Sequence, residues 1–371
     1  MSPLQPSLSL RLNPALRDLP VYQPGRPIEE VARELGLEAS TIAKLASNEN
    51  PLGPSPRALE AMRKAVSQVH LYPDGNAFYL KQKLAGQLGI DPGNLILGNG
   101  SNEIIEFLGH ALVGPGVEVV VSQFCFAIYP IVTLMFGGKP VVVPAKGYGH
   151  DLPAMRDAVT PQTRLVFVAN PNNPTGTLAP AADVLELVKA VPPEVLLVID
   201  EAYFEYLENP PDLLPLIRSG EHPNLLLMRT FSKIYGLAGL RLGYGIGGRE
   251  LIAALEKVRQ PFNINALAQA AALAALDDTP HLDRSRETNF LGMQFWQDAL
   301  GHDGIEYVPS AGNFILARVG DGAGVFRKLQ ERGVIVRPMA GYQLPEWVRI
   351  SIGTAAENER CLGALREVLA G

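Results

Sequence analysis

Short apolar runs alternate with segments of helical spacing through the middle of the chain. The runs are LILG (95–98), VEVVV (117–121), VVV (141–143), LVFVA (165–169), VLLVI (195–199) and NLLLM (224–228). Runs this short and this uniformly apolar are typical of strands that are buried on both faces of a sheet. Intervening stretches such as 101–112 and 180–190 place apolar residues at helical intervals. The alternation predicts an α/β fold in which a mainly parallel central sheet lies between helices.

The C-terminal part of the chain has a different pattern. A helix-forming stretch at 266–277 is followed by a long helical pattern to about residue 300, and a closing helix is expected at 355–369. Between them lie the strand candidates FILARV (314–319), VIVRP (334–338) and WVRISI (347–352). This arrangement predicts a smaller α+β domain.

The first 55 residues are rich in loop-forming residues. The stretch ASNENPLGPSP (46–56) is too dense in Asn, Pro, Gly and Ser for regular structure, and we interpret it as an ordered arm. The sequence therefore predicts an N-terminal arm (1–55) that partly joins the small domain, a large domain (56–265) and a small C-terminal domain (266–371).

The composition and the charge limit the kinds of partner. A chain of 371 residues with 47% hydrophobic and 19% charged residues is typical of a globular protein with about two domains. The formal net charge of −6 gives no reason to expect a nucleic acid or an acidic membrane surface as a partner. We therefore expect small-molecule partners.

Cysteine use and the opening residues bear on the compartment. Cys125 and Cys361 do not form a C-x-x-C pair, so a disulfide framework is excluded and a reducing compartment is favoured. The opening MSPLQPSLSL does not resemble a signal peptide, and no stretch approaches the ~20 apolar residues of a membrane span. The histidines never fall at metal-ligand spacing. These patterns predict a cytoplasmic protein without a membrane segment or a metal site.

Polar groups follow three successive strand candidates. NPNNPTG (170–176), DEAY (200–203) and RTFSK (229–233) each begin where an apolar run ends. Each has a structural explanation by itself, since Asn-Pro-Thr-Gly makes good turns, Asp200 could cap a helix and lysines are usually on the surface. Ligands of parallel sheets bind at the carboxyl ends of the strands, so the three groups together predict a site there.

The segment RTFSKIYGLAGLR (229–241) places Lys233 among apolar residues. A buried lysine is costly unless an anion or a covalent partner compensates it. Pyridoxal 5′-phosphate would provide both, because a lysine forms a Schiff base with it and a carboxylate, here Asp200, keeps its pyridine nitrogen protonated. Thr230, Ser232 and Arg241 would bind its phosphate.

NPNNPTG, DEAY and the spacing of SK to the arginine of GLAGLR resemble the fold type I, aspartate-aminotransferase-like family of pyridoxal phosphate enzymes, over nearly the whole chain. The resemblance implies that Asn173 and Tyr203 hydrogen-bond the phenolic oxygen of the cofactor and that Asp200 pairs with its pyridine nitrogen. It also implies that Lys233 is both the Schiff-base former and the proton shuttle between Cα and C4′.

Further segments are similar to the histidinol-phosphate aminotransferases within that family. They are KLASNENPLGPSP (44–56), YPDG (72–75), GNGSNEIIE (98–106), FAIYP (126–130) and GVIVRPMAGYQLPEWVRISIGTAAEN (333–358). This resemblance implies a transfer from L-histidinol phosphate to 2-oxoglutarate, which yields 3-(imidazol-4-yl)-2-oxopropyl phosphate and L-glutamate in histidine biosynthesis.

The same resemblance assigns further cofactor contacts. The amides of Gly100, Ser101 and Asn102 would meet the phosphate where a helix begins, and Phe126 would stack on the pyridine ring. Tyr72 would reach the phosphate in the site of the other subunit, which implies a homodimer. The family more often has an aspartate at the position of Asn102 and often a tyrosine at that of Phe126, so these two positions depart from its pattern.

The prediction of the substrate rests on two arginines. Arg349 and Arg337 would together hold the phosphate ester of histidinol phosphate, and in the other half-reaction the carboxylates of glutamate and 2-oxoglutarate. Arg337 could instead be a solvated charge at a strand end. Further candidates for the substrate pocket are Tyr22, Asn50 and, in the PFNIN segment, Asn263 and Asn265.

We also considered other kinds of site and other enzymes of the same fold. Gly243, Gly245 and Gly248 form G-x-G-x-x-G, but the acidic residue that a nicotinamide site needs about twenty positions later is missing. A P-loop motif and a nucleophile elbow are also missing from the sequence. An aromatic amino-acid aminotransferase and a threonine-phosphate decarboxylase of the same fold remain open. A non-catalytic cofactor-binding regulator is a remote alternative, since no basic helix-turn-helix segment is appended.

Overall fold

Helices and short strands alternate through residues 14–16, 19, 21 and 25–371, which are the residues that this computed structural model describes. The helices are α1 (Ile28–Leu35), α2 (Pro56–Ala65), α3 (Phe78–Leu88), α4 (Ser101–Leu112), α5 (Ile128–Met135), α6 (Leu152–Asp157), α7 (Ala181–Ala190), α8 (Leu214–Ser219), α9 (Arg249–Leu255), α10 (Ala266–Ala275), α11 (Thr279–His302), α12 (Gly322–Glu331) and α13 (Ala355–Ala370). The strands are β1 (Ala43–Lys44), β2 (Leu95–Gly98), β3 (Glu118–Ser122), β4 (Lys139–Val143), β5 (Thr163–Ala169), β6 (Leu196–Asp200), β7 (Leu225–Thr230), β8 (Gly243–Gly247), β9 (Tyr307–Val308), β10 (Phe314–Arg318), β11 (Val334–Ile335), β12 (Arg337–Pro338) and β13 (Trp347–Ser351).

The largest sheet has seven strands in the order β2-β8-β7-β6-β5-β3-β4. β8 runs antiparallel to both of its neighbours, and the other pairs are parallel. The predicted mainly parallel α/β sheet is thereby confirmed. β4 differs from the expectation of strands buried on both faces, because it is the edge strand and the side chain of Val142 is 53% exposed.

Helices cover both faces of this sheet. Along β5, Leu165 and Phe167 pack into one apolar cluster and Val166 and Val168 into the other, as successive side chains of a strand must. This double burial explains why the strand is apolar at every one of these positions.

A second sheet, called the small sheet below, has four antiparallel strands in the order β12-β13-β10-β9. Its core includes Trp296 of α11 and Cys361 of α13, both fully buried. β1 pairs in parallel with β11, so the N-terminal arm contacts this part of the molecule. The arm also contains α1, where the sequence predicted only loop, because Val31 and Ala32 on one face of that helix pack against Ile335.

The Ala-rich helix α10 packs on the large-sheet side of the molecule. Ala58 of α2 and Ala268, Ala271 and Ala272 of α10 belong to the same apolar cluster as one face of the large sheet. The boundary predicted at 265/266 stays a proposal, and this packing favours a boundary closer to the start of α11.

None of the helices in the described part of the chain is both long enough and apolar enough to cross a membrane. The thiols of Cys125 and Cys361 are free and buried. Burial raises the pKa of each thiol to about 12, so neither is a thiolate at neutral pH.

Candidate active site

The carboxyl ends of β5, β6 and β7 meet at one edge of the large sheet, where a cavity of about 250 Å³ opens. Its lining contains most of the predicted site residues, namely Ser101, Asn102, Phe126, Asn173, Asp200, Tyr203, Thr230, Ser232, Lys233, Arg241, Arg337 and Arg349. A wider cleft of about 770 Å³ lies near the opposite strand ends, around Arg164, Arg218 and Arg249, and none of the predicted site residues lines it.

Lys233 follows β7 and projects its amine into the smaller cavity. Its Nζ donates to the carbonyl oxygen of Ser47 at 3.3 Å and lies 5.7 Å from the centre of the Tyr203 ring. Burial and then the positive charge of Arg349 lower the pKa of Lys233 to about 8. A useful fraction of the amine is therefore neutral near physiological pH, as a nucleophile or a general base requires.

Asp200 ends β6 and is 5% exposed. Its Oδ2 accepts a hydrogen bond from the Tyr129 hydroxyl at 2.7 Å, and its Oδ1 accepts one from the Ala202 amide at 3.1 Å. Burial raises the pKa of Asp200 to about 6, and these two hydrogen bonds oppose the rise. Both of these donors are neutral, and the charge of Lys233 also favours the ionised carboxylate, so the position suits pairing with a cationic group of a ligand.

The start of α4 and the Arg241 guanidinium lie together at one side of the cavity and form a concavity. Gly100 precedes the helix with φ 77° and gives no side-chain cap, so the first amides of the helix stay available. A Cβ at Gly100 would overlap the Arg241 guanidinium, and one at Gly243 would overlap the Ser101 amide. Gly100 therefore lets the Arg241 guanidinium come close to the start of α4, and Gly243 lets β8 pack against the Ser101 amide.

Thr230 and Ser232 lie beside this concavity. The guanidinium of Arg241 donates to the Ala238 carbonyl at 3.0 Å and lies 3.5 Å from the Ser232 hydroxyl. The Thr230 hydroxyl accepts from the Ser232 amide at 3.1 Å. Hydroxyls, a guanidinium and helix amides together form the donor set that a phosphate group prefers.

Two arginines from the small sheet close the other side of the cavity. Arg337 on β12 and Arg349 on β13 are register partners, so their side chains are neighbours on one sheet face. Arg349 is 7% exposed and donates to Asn173 Oδ1 at 2.5 Å and to the Ala46 carbonyl at 3.0 Å. Two adjacent guanidinium groups favour binding of an anion between them.

Residues 40–365 match the family described as aminotransferase class I and II. The chain belongs to this family. A relative from Akkermansia muciniphila named histidinol-phosphate aminotransferase is 51% identical over 96% of this chain and 98% of its own length. One from Ralstonia nicotianae, named histidinol-phosphate aminotransferase 2, is 52% identical over 98% of each chain. The resemblance predicted from the sequence is thus confirmed.

A solved structure gives the same result for the fold. The histidinol-phosphate aminotransferase from Sinorhizobium meliloti, in complex with pyridoxal-5′-phosphate, superposes with a TM-score of 0.88 at 33% identity. The match covers 98% of this chain and 99% of that one. The predicted fold type I architecture is confirmed by this neighbour.

Two predicted substrate residues lie outside the lining of this cavity. The Asn50 amide donates to the Ile234 carbonyl at 2.6 Å and to the Ser285 hydroxyl at 2.9 Å. The Asn263 amide donates to Glu103 Oε2 at 2.6 Å. Both amides bind groups of the protein itself, and their assignment to the substrate stays a prediction.

Tyr72 is not among the described residues that line the cavity of the single chain. Tyr72 is 83% exposed and stacks on Phe262 with ring centres 4.8 Å apart, away from the lining residues. Its predicted role belongs to a second subunit, so a single chain does not test it. Tyr22 lies outside the described residues.

The sequence reasoning missed Tyr129 and Asn48, which both line the cavity. Tyr129 stacks on Phe167 with ring centres 4.4 Å apart and binds Asp200. It lies three residues after Phe126, about one helical turn on, and that spacing was a usable signal. Asn48 donates to the Tyr203 hydroxyl at 2.8 Å, a contact across 155 positions that local sequence cannot indicate.

A buried ion pair ties two of the strand ends together. Arg229 Nε donates to Glu201 Oε2 at 2.8 Å, and both side chains are nearly fully buried. The Arg229 guanidinium also lies 3.5 Å above the centre of the Phe204 ring. Because Glu201 follows Asp200 and Arg229 precedes Thr230, the pair fixes the spacing of two predicted cofactor ligands.

Proposed function

We propose that this aminotransferase uses pyridoxal 5′-phosphate and transfers an amino group from L-histidinol phosphate to 2-oxoglutarate, a step of histidine biosynthesis. The products would be 3-(imidazol-4-yl)-2-oxopropyl phosphate and L-glutamate. The observation that carries the choice of substrate is the pair Arg337 and Arg349, which are register partners on neighbouring strands and line the same cavity as Lys233. The relatives that share the chain over nearly its full length bear the same activity in their names.

The cavity has the groups that this cofactor needs. Lys233 would hold it covalently through Nζ, and Asp200 would face its pyridine nitrogen. Phe126 would stack on the ring, and Asn173 and Tyr203 would donate to its phenolic oxygen. The phosphate would be held by Arg241 together with Thr230, Ser232 and the amides of Gly100, Ser101 and Asn102.

When bound, pyridoxal phosphate supplies a carbonyl carbon that attaches amines and a ring that accepts an electron pair. The protein moves the proton. Lys233 Nζ would take it from Cα of the amino donor, and a pKa near 8 suits an amine that must accept and return a proton. Asp200 would stabilise the positive charge of the ring nitrogen from its buried position.

The arginines orient the substrate. A phosphate ester carries up to two negative charges, which Arg337 and Arg349 would share, and each guanidinium can bind it with two parallel hydrogen bonds. In the second half-reaction the same pair would bind the carboxylates of glutamate or 2-oxoglutarate. One site would thereby serve two substrates of different shape, because each presents an anionic group to the arginines.

The exposed apolar residues near Tyr72 support the proposal of a homodimer. Exposed side chains of this kind are concentrated at Val66, Val69, Leu71, Tyr72, Phe78, Tyr79 and Phe262. Apolar patches that monomeric proteins rarely expose mark interaction surfaces. We place the subunit contact there, with Tyr72 reaching the partner's cofactor phosphate. Sedimentation should give a dimer at micromolar concentration, and a monomer would contradict the contact.

The proposed location is the cytoplasm, where the unpaired Cys125 and Cys361 would remain thiols. Export of the protein in a fractionation experiment would contradict it.

The test of the function is a panel of single half-reactions. The cofactor-loaded enzyme is mixed with L-histidinol phosphate, glutamate, phenylalanine or tyrosine, and the absorbance change of the cofactor is followed. We expect fast conversion with the first two donors and slow conversion with the aromatic ones. Fast conversion with the aromatic donors and none with histidinol phosphate would move the enzyme to aromatic amino-acid metabolism.

A further inference from the structure

Asn48 lies at the junction of the N-terminal arm, the small sheet and the DEAY turn. It is 1% exposed and has a φ of 55°, in the left-handed region that asparagine tolerates better than most side chains. Its backbone amide donates to the Ser351 hydroxyl at 2.8 Å, and its carbonyl accepts from the Asn313 amide at 2.9 Å. A buried residue in such a conformation is held there by its surroundings, which points to a specific task.

The hydrogen bonds around Asn48 fix the direction of its side-chain amide. The buried Ser351 hydroxyl accepts from the Asn48 backbone amide at 2.8 Å and donates its own proton to Asn48 Oδ1 at 3.0 Å. If the side-chain amide were turned round, this hydroxyl would accept two hydrogen bonds and its proton would lose that acceptor. The Nδ2 group therefore faces Tyr203 and donates to its hydroxyl oxygen at 2.8 Å.

This contact leaves the hydroxyl proton of Tyr203 available for another acceptor. Tyr203 is almost fully buried, and it is one of the residues that line the cavity. The charged and titratable groups facing it are Arg349, Asp200, Tyr342 and Lys233. Burial raises the pKa of Tyr203 to about 12, so the hydroxyl keeps its proton throughout the working range of pH.

We propose that Asn48 is a positioning residue, whose amide fixes the Tyr203 hydroxyl as a hydrogen-bond donor directed into the cavity. The inference rests on the proposed function, because the acceptor would be the phenolic oxygen of pyridoxal phosphate. Asn48 also binds Ser351, which lies two residues after Arg349 on β13. One residue of the arm thus joins the strand of the substrate arginine to the tyrosine that faces the cofactor.

The test uses two substitutions of Asn48 in the holoenzyme. Asn48→Gly keeps the left-handed backbone accessible and removes the donor. Asn48→Asp keeps the shape of the side chain, but a carboxylate accepts the Tyr203 proton and turns the donor away from the cavity. Each change is made in the wild-type and in the Tyr203→Phe background, which gives a double-mutant cycle.

The main readout is the pH midpoint of the absorbance change of the bound cofactor. A donor to the phenolic oxygen stabilises its negative form, so loss of that donor should raise the midpoint by about one pH unit, a tenfold change. The kcat of amino transfer should fall about tenfold in both Asn48 variants. In the Tyr203→Phe background, Asn48→Gly should move neither quantity further.

Two results would overturn the inference. One is an unchanged midpoint in Asn48→Gly with only a lower melting temperature, which would mean that Asn48 is merely structural. The other is an equal shift of the midpoint in the Tyr203→Phe background. Failure of the proposed function has a different signature, since the unmodified enzyme would then not use histidinol phosphate while the midpoints would still be measurable.

Discussion

Arg349 Nη1 donates to Asn173 Oδ1 at 2.5 Å, and this hydrogen bond joins the small sheet to the loop that follows β5. Because the amide oxygen of Asn173 is occupied by the guanidinium, its NH₂ group can point into the cavity. The residue proposed to bind the substrate anion therefore also orients a residue proposed to bind the cofactor.

Arg349→Lys tests this relationship. Lysine keeps the charge but loses the planar fork, so it cannot bind Asn173 and a bidentate anion together. We expect kcat/KM for L-histidinol phosphate to fall by about 10²- to 10³-fold, the effect of losing charged hydrogen bonds worth about 3–4 kcal/mol. Steady-state kinetics measure it. A loss below threefold would remove Arg349 from the substrate site.

Arg337→Gln tests the second guanidinium. We expect KM for L-histidinol phosphate to rise by about tenfold or more, because one charged partner of the phosphate is lost. Arg318→Gln is the matched control, since Arg318 lies on the same sheet but pairs with Glu306 and Glu346 at the surface. Equal effects of the two substitutions would show that the change acts through the sheet and not through the anion.

The pH dependence of cofactor attachment tests the lowered pKa of Lys233. Only the neutral amine is a nucleophile, so the attachment rate of pyridoxal phosphate to the apoenzyme should rise as pH increases through about 8. Because the charge of Arg349 lowers this pKa, Arg349→Met should move the rise to higher pH. Lys233→Ala should abolish attachment, whereas Lys257→Ala at the surface should not. A rise centred near the pKa of an ordinary lysine would contradict the account.

Tyr129→Phe tests the hydrogen bond to Asp200. This bond lowers the pKa of Asp200, against burial, which raises it to about 6. Without the hydroxyl the carboxylate protonates at higher pH, so activity that needs the ionised form should be lost at a higher pH as the solution is acidified. The pH profile of kcat measures the shift. Tyr148→Phe is the control, since Tyr148 packs on Trp347 outside the cavity lining. Identical acid limbs in Tyr129→Phe and the wild type would refute the role.

The parallel part of the large sheet was predictable because its buried strands are apolar at successive positions and because β5, β6 and β7 lead into polar residues. Asp200 is the last residue of β6 and Lys233 comes three residues after the end of β7, so parallel pairing of these strands was enough to bring them together. The packing side of α10 was less accessible, because an Ala-rich helix has the same sequence whichever core it joins. The helix α1 was missed because it is short and lies in a segment that is otherwise rich in turn residues.

The site was predictable where chemistry depends on residue type and less so where it depends on contact. Asn50 and Asn263 have the polar character of ligand residues, yet their amides bind groups of the protein. Asn48 looks like another loop asparagine, and only its contacts with Tyr203 and Ser351 distinguish it. Such contacts join parts of the chain far apart in sequence, which one sequence does not reveal.

The measurement that tests the central claim most directly compares L-histidinol phosphate with L-histidinol as amino donors. The two differ only in the phosphate that Arg337 and Arg349 are proposed to bind. We expect kcat/KM to be at least about 10³-fold higher for the phosphate ester, equivalent to about 4 kcal/mol of transition-state binding. Equal values of kcat/KM for the two donors would contradict the assignment of these arginines and of the substrate.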